Sequence, residues 1–348
     1  MYFTPFEKYL YKIKKKIIDF LGFNTELFIQ LDITTKCQLN CKGCYRKTFN
    51  HEPENTEMSI PDWENCIKKL YNFTNRICVQ PNFILCGGEP LIAENFLSIL
   101  LILKEHYGNL VKIYVLTNGI DISDQQIQLF KQENIVVEIS IDGPSDTIHD
   151  MCRGNGSFYK TINNIQRLKK NNVEIIGLVT LTENNHRYVE EFFQLFTNLG
   201  IKNFTFHRYI PIHSNDTMAL TQNELKQAYT NILNFNKKYN YICDTAKPLY
   251  VLLDQNIIGH GQWGSKSITI DSTGNIKPSS RINLTLGNIK TDNIYDVFMK
   301  NKMMISLRKN KISRCSKCSF VYKCAGDRNA AFVNSGDILS EDPLCWKE

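Results

Sequence analysis

Three cysteines within eight residues, Cys37, Cys41 and Cys44, constrain this chain more than any other feature. They follow the strand-like stretch LFIQLDI in a C-x3-C-x2-C pattern. Thiolates are the usual ligands of iron–sulfur clusters, and three of them leave one iron of a [4Fe-4S] cluster without a protein ligand. An open coordination position is typical of a metal site that binds substrate or cofactor, whereas structural zinc takes four ligands. The pattern therefore predicts a reactive iron–sulfur site, with structural thiols or zinc as the alternative.

After residue 26 the chain alternates between short β-rich runs and longer amphipathic ones. Strands are predicted at 27–33, 82–86, 111–116, 135–140, 173–180 and 203–209. Helices are predicted near 59–72, 94–107, 123–133, 157–171, 184–198 and 221–238. Six strand–helix units in a row predict an α/β fold with a parallel sheet and right-handed crossovers. The active site of such a fold lies at the carboxyl ends of the strands.

Four further motifs follow the predicted strands at those ends. They are CGGEP at 86–90, TNG at 117–119, SIDG at 140–143 and HDxxRG at 149–154. With the cysteine triplet, their order resembles the radical S-adenosylmethionine (radical SAM) superfamily. In that family the open iron binds SAM, and one electron cleaves it to methionine and a 5′-deoxyadenosyl radical. The resemblance implies a partial (β/α)6 TIM-like radical SAM barrel.

The resemblance also implies which residues contact the cofactor. The expected SAM-binding residues are Gly87, Gly88, Glu89, Asn118, Ser140, Asp142 and Arg153. The GGE motif would meet the methionine amino group, and the arginine would lie near the SAM carboxylate. Many family members carry an aromatic residue just before the third cysteine, where this chain has Gly43.

The catalytic residues are less well defined by these motifs. Cys152, next to Arg153, is the candidate hydrogen donor or substrate contact, with a buried thiol as the alternative. The sixth predicted strand ends in residues that either face substrate or pack: His207, Arg208 and Tyr209.

Four more cysteines stand in the C-terminal tail in a C-x2-C-x5-C-x20-C pattern: Cys315, Cys318, Cys324 and Cys345. Four thiolates complete a closed site, which is either an iron–sulfur electron carrier or a zinc ribbon. The tail resembles the SPASM extension of radical SAM enzymes and implies a small C-terminal SPASM-like α+β domain. Because Ser279 and Asp327 stand where that family often has further cysteines, we expect one auxiliary [4Fe-4S] cluster. Ser280 stands where some members have an aspartate base, so no base is carried over.

The sequence divides into three predicted regions. Residues 1–26 form a basic amphipathic helix, 27–240 the radical SAM core, and 241–348 the bridge and auxiliary cluster domain. The helix carries the run Lys12, Lys14, Lys15 and Lys16. It either holds an acidic partner or a membrane surface, or packs on the domain with its lysines solvated.

The amino-acid composition indicates which cellular compartment and which partners to expect. Twelve cysteines in 348 residues, without a recognisable signal peptide, indicate a metal or redox protein in a reducing cytoplasm. No segment approaches the roughly 20 apolar residues of a membrane span. We expect no nucleic-acid partner, and a low-potential electron donor such as ferredoxin or flavodoxin.

The resemblance implies hydrogen-atom abstraction from an unactivated C–H bond. The favoured substrate is a ribosomally made peptide, which SPASM-type enzymes often modify. The alternatives are an oxidative step on a tetrapyrrole, because the tail also resembles haem-biosynthesis enzymes, and dehydrogenation of a sugar or small alcohol. A non-catalytic iron–sulfur or zinc protein is the alternative from another class.

Overall fold

The computed structural model describes residues 26–46, 57–212, 216–240, 242–259, 264 and 266–347. Apart from residue 26, the predicted N-terminal helix lies outside the described residues. The chain divides into two compact units. The first comprises 1–37, 50–115 and 264–308, and the second comprises 38–49, 116–263 and 309–348. The predicted domain boundaries at 26 and 240 stay a prediction.

The first unit contains a mixed sheet with two covering helices. Its strands are β1 (Glu26–Asp32), β2 (Gln80–Cys86), β3 (Ile113–Thr117, whose last two residues belong to the second unit), β8 (Ser267–Ile270), β9 (Asn275–Lys277) and β10 (Gly287–Asn288). Strand β1 pairs in parallel with β2 and β8, and β2 with β3. Strands β8, β9 and β10 are antiparallel neighbours. The helices α1 (Ile60–Arg76) and α2 (Phe96–Tyr107) follow β1 and β2.

Helix α1 shows how sequence defines these elements locally. Ser59 and Asp62 form a capping box that satisfies free N–H groups at its start, and a proline occupies its first turn. One face of the helix is buried, with Trp63, Ile67 and Leu70 fully enclosed. A π-helix (Asp296–Lys300) and α8 (Lys302–Arg308) complete this unit.

The second unit contains the parallel strands β4 (Val136–Ser140), β5 (Ile175–Leu181), β6 (Asn203–Arg208) and β7 (Cys243–Asp244), paired in that order. Its helices are α3 (Asp124–Gln132), α4 (Asp146–Arg153), α5 (Ser157–Lys170), α6 (Val189–Asn198), α7 (Gln222–Lys238) and α9 (Arg328–Ser335).

A cluster of phenylalanine rings joins α6 to this sheet. Phe193 and Phe196 of α6 contact Phe204 of β6, with ring centroids 4.9 and 4.4 Å apart. A Cβ at Gly177 of β5 would lie 2.5 Å from the Phe196 ring, so glycine is needed for this close packing. The Gly177 side of the sheet therefore faces α6, and the alternate residues face the other way.

The six predicted strands and six predicted helices are all present, with ends shifted by at most a few residues. Strands β8 and β9 form a hairpin, and Asp271 accepts N–H bonds from Thr273 and Asn275 at its turn. Helix α4 was not predicted, because its eight residues are too few to show a clear period.

Candidate functional site

In the first unit, the GGE motif packs against the chain that leads from β1 to the cysteine loop. The N–H of Gly88 donates to the carbonyl of Thr34, and the N–H of Glu89 to that of Lys36, both at 2.7 Å. A Cβ at Gly88 would lie 2.1 Å from the Lys36 oxygen. The paired glycines therefore permit a backbone-to-backbone approach that fixes the start of the loop.

Glu89 lies buried at the end of this contact. Its Oε1 accepts the N–H of Leu91 and caps a short 3-10 helix, Pro90–Ile92. The Glu57 carboxylate holds the neighbouring segment, because its Oε1 accepts from both the N–H and the hydroxyl of Thr35.

In the second unit, Asp142 joins the end of β4 to two other elements. Its Oδ2 accepts from the Nε of Arg153 at 2.7 Å, and its Oδ1 accepts from the N–H of Thr180 at 2.8 Å. Its carbonyl accepts from the Asn185 amide, and its own N–H donates to Nδ1 of His149. Burial lowers the pKa of His149 to about 4, so this imidazole is neutral and free to accept.

Arg153 is held at one nitrogen and leaves two others for a ligand. Only its Nε bonds to Asp142, and the terminal nitrogens have no hydrogen-bond partner among the described residues. Its guanidinium lies within electrostatic range of the Cys41 thiol. A planar guanidinium oriented in this way is suited to bidentate binding of a carboxylate.

Cys152 contacts the cysteine loop through its backbone. Its carbonyl accepts the N–H of Lys42 at 2.9 Å, and its Sγ lies 3.7 Å from the Lys42 carbonyl. Burial, with the nearby Asp142 carboxylate, raises the pKa of the Cys152 thiol to about 12. The group is therefore a neutral thiol, and its role as hydrogen donor stays a prediction.

The TNG motif at the end of β3 contacts the same loop from another side. Asn118 donates through Nδ2 to the Gln38 side chain at 3.3 Å. Helix α5 holds the motif in place, because Thr161 donates to the Asn118 carbonyl and Asn164 to that of Gly119.

The packing around Gly43 explains why a glycine precedes the third cysteine. Gly43 has φ +69, and a Cβ there would lie 2.6 Å from the Tyr209 hydroxyl and 2.9 Å from the Met218 sulfur. Tyr209 in turn donates to Asp216 at 2.5 Å. Tyr209 therefore packs against the cysteine loop, which its sequence position did not reveal.

The face of the sheet opposite α6 carries Ser140 and an unpaired carboxyl, Glu138. These residues neighbour Leu178 and Ile176 of β5. The Glu138 side chain forms no hydrogen bond within the described part of the chain. Burial raises its pKa to about 7, against the attraction of Lys247. The Glu138 carboxyl is therefore largely removed from water, although the residue is still partly exposed on this face of the sheet.

The four tail cysteines line one pocket of about 320 Å³, counted with the solvent at its mouth. Two of these sulfurs accept backbone hydrogen bonds. The N–H groups of Leu249 and Gly326 point at Cys324 Sγ, at 3.3 and 3.4 Å, and the N–H of Phe320 points at Cys318 Sγ, at 3.5 Å. N–H donors stabilise thiolates, the form that binds iron, so the pocket fits an iron–sulfur cluster.

A buried ion-pair network borders this pocket. Arg208 of β6 pairs with Asp342 at 2.9 Å and with Asp327 at 3.4 Å. Asp327 also caps α9 by accepting from Asn329 and Ala330. Arg208 therefore packs against the tail, in agreement with the packing alternative for this residue.

In the described ranges, no three His, Cys, Asp or Glu side chains converge closely enough to hold a single metal ion. None of the helices described is long and apolar enough to cross a membrane.

Comparison with known proteins shows what the chain resembles. Residues 31–196 match the Radical SAM superfamily. The chain is 24% identical over 343 residues to an AdoMet-dependent heme synthase of Oleidesulfovibrio alaskensis, covering 91% of this chain and 86% of the relative. It is 25% identical over 321 residues to a cysteine-type anaerobic sulfatase-maturating enzyme of Clostridium perfringens, covering 83% of this chain and 85% of the relative.

A solved structure shows the same fold. It is Streptococcus suis SuiB bound to the precursor peptide SuiA, with a TM-score of 0.73 and 15% identity, covering all of this chain and 82% of that one. The fold is that of an α/β radical SAM enzyme with a C-terminal extension, as expected. Residues 31–196 thus resemble the radical SAM superfamily, and the relatives that are similar along most of the chain include a heme synthase and a sulfatase-maturating enzyme.

Proposed function

We propose that this protein reductively cleaves SAM and uses the 5′-deoxyadenosyl radical to abstract hydrogen from a C–H bond of a ribosomally made peptide. Cys37, Cys41 and Cys44 would hold the catalytic [4Fe-4S] cluster, and the tail cysteines one auxiliary cluster. The two clusters and SAM supply the electron transfer and the radical, while the chain binds, orients and excludes water.

The geometry of Arg153 carries this proposal. Asp142 fixes the guanidinium at its Nε, beside the loop that bears Cys41, and its terminal nitrogens are available for a carboxylate. The methionine part of SAM presents such a carboxylate. A structural iron–sulfur protein would have no need of an oriented, desolvated guanidinium at this place.

Gly87, Gly88 and Glu89 belong to the first unit, and Asn118, Ser140, Asp142 and Arg153 to the second. The chain that carries the cysteine triplet runs from the first unit into the second between Cys37 and Gln38.

The peptide part of the proposal rests on the relatives. The SuiB structure holds a precursor peptide, and the Clostridium relative matures a sulfatase, which is itself a polypeptide. Peptide recognition would also give the basic run between Lys12 and Lys16 an acidic partner. A low-potential donor such as ferredoxin or flavodoxin, in a reducing cytoplasm, would supply the electrons.

An oxidative step on a tetrapyrrole is the second candidate. The heme synthase relative covers 91% of this chain, slightly more than the sulfatase-maturating enzyme does. Carboxylated tetrapyrroles would also be attracted to a chain with a net charge of +6.

The test for SAM cleavage compares two arginine variants of the anaerobically reconstituted protein with dithionite. Arg153→Ala should lose 5′-deoxyadenosine formation and weaken SAM binding at least tenfold. The control is Arg187→Ala, because Arg187 is exposed and pairs with Glu183 on the surface. Equal 5′-deoxyadenosine from both variants would contradict the assigned role of Arg153.

The substrate class is tested with the same protein and two probes. Incubation with coproporphyrin-type and other carboxylated tetrapyrroles, and separately with short acidic peptides, should stimulate SAM cleavage only in the peptide series. Stimulation by the tetrapyrroles alone would favour the second candidate.

A further inference from the structure

The tail pocket contains one full positive charge that contacts a cysteine sulfur. Lys347 lines the pocket, and its Nζ lies 3.5 Å from Cys318 Sγ. We propose that Lys347 raises the reduction potential of the auxiliary cluster by donating to the Cys318 thiolate. This inference rests on the proposed function, in which the four tail cysteines hold that cluster.

Three contacts hold the ammonium group in place. Besides Cys318, it donates to the Ser319 hydroxyl at 2.9 Å and lies over the Phe320 ring, 4.5 Å from its centroid. A lysine side chain on the surface normally samples many rotamers, and the entropy of that freedom opposes a fixed contact. The ring and the hydroxyl restrict the side chain, so the charge stays directed at the sulfur.

Hydrogen bonds to sulfur are unevenly distributed among the four ligands. Cys318 accepts from Phe320 N–H and from Lys347, and Cys324 accepts from two backbone N–H groups. Within the described residues, the sulfurs of Cys315 and Cys345 accept no hydrogen bond. Of the four donors, Lys347 alone is charged, and charge-assisted hydrogen bonds are roughly twice as strong as neutral ones.

The direction of the effect follows from electrostatics. Reduction adds a negative charge to a cluster that already carries four thiolates. A nearby cation and a donor to sulfur stabilise the reduced state more than the oxidised state, which raises the reduction potential. A higher potential makes the cluster a better acceptor of an electron from the substrate radical.

A second cation near the tail cysteines is unsuited to a test. Arg328 is fully buried and lies within electrostatic range of Cys315. Its guanidinium donates to the carbonyl of Ile338, so its removal would leave buried groups unpaired and disturb folding. Lys347 is only partly buried and can be changed with less risk.

The experiment measures the midpoint potential of the tail cluster by a redox titration monitored with electron paramagnetic resonance. The full chain carries Cys37→Ala, Cys41→Ala and Cys44→Ala, so that the signal comes from the tail alone. Lys347→Gln removes the charge and Lys347→Arg keeps it. The matched control is Lys323→Gln, because Lys323 lies in the same tail but donates to the Gln255 carbonyl.

At the parent's midpoint potential, Lys347→Gln should lower the ratio of reduced to oxidised cluster about tenfold, which corresponds to 59 mV for one electron. Lys347→Arg and Lys323→Gln should stay within about twofold of the parent. A Lys347→Gln ratio equal to that of the parent would overturn the role of Lys347 and leave the cluster assignment intact. A triple-cysteine background without any iron would instead overturn the auxiliary cluster, and this inference with it.

Discussion

The Nε of Arg153 lies 2.7 Å from the Oδ2 of Asp142, and this ion pair ties the end of α4 to the end of β4. Both side chains are largely buried, at 13% and 6% exposure. The same carboxylate accepts from the backbone of β5, so the guanidinium is oriented by two neighbouring strands. The predicted SAM contacts Asp142 and Arg153 thus act as one unit.

Breaking this pair should destabilise the protein and weaken SAM binding. Asp142→Asn leaves a buried guanidinium without its counter-charge, at a cost of about 3–5 kcal/mol. Urea unfolding under anaerobic conditions measures the stability, and equilibrium dialysis the SAM affinity. The control is Glu190→Gln, which removes an exposed pair with Lys238 and should cost at most about 1 kcal/mol. Similar losses in both variants would show that Asp142 is no more than a surface partner.

Adding a methyl group at Gly88 should disturb the catalytic cluster. The new Cβ of Gly88→Ala would lie 2.1 Å from the Lys36 carbonyl oxygen, which is backbone and cannot turn away. We expect reconstituted protein to lose the core cluster, about half of its iron, and to keep the tail cluster. The matched change is Gly108→Ala, where a Cβ meets nothing within 4 Å. That variant should keep its iron, because only the backbone strain at φ +60 is added.

The metal content should show whether the tail cysteines bind an iron–sulfur cluster or zinc. Three core and four tail cysteines predict two [4Fe-4S] clusters, or about eight irons per chain. Replacing the tail cysteines by alanine should remove about four of them, as measured by iron and zinc analysis after anaerobic reconstitution. Four irons with one zinc would establish the zinc ribbon. About twelve irons would mean that other residues replace the missing SPASM cysteines.

Glu138 should make stability depend on pH. Burial raises its pKa from 4.5 to about 7, so the folded protein holds this proton more tightly than the unfolded chain does. Its contribution is therefore most favourable below about pH 4.5 and is lost as the pH rises to about 7. Glu138→Gln removes the dependence and should stabilise the protein at pH 8 by up to about 3 kcal/mol, at 1.36 kcal/mol per pKa unit.

The measurement for Glu138 is urea unfolding at pH 5 and pH 8. The difference between variant and parent should be larger at pH 8. Glu105→Gln, on the exposed side of α2, is the control and should change stability by less than about 0.5 kcal/mol at both values. An equal effect of Glu138→Gln at both pH values would mean that its carboxyl is solvated in the folded protein.

Local patterns were sufficient to predict most of the elements and the kind of chemistry. The strands and helices have clear periods and capping residues such as Ser59 and Thr221, which act within one turn. The cysteine triplet and the GGE motif identify their chemistry because thiol spacing and paired glycines are short-range features. Helix α4 was not predicted, because eight residues are too few to show a helical period in the sequence.

Contacts between distant parts of the chain were decided by tertiary structure. Nothing near Gly43 indicates that Tyr209 occupies the space beside it, and nothing near Cys318 indicates that Lys347 points at its sulfur. The position of Arg208 at a strand end leaves both a substrate contact and a packing role open, and its ion pair with Asp342, 134 residues away, decides for packing. Sequence therefore determined the elements and the ligand chemistry, because these depend on near neighbours. Tertiary structure decided which charges meet, since that depends on how distant elements pack.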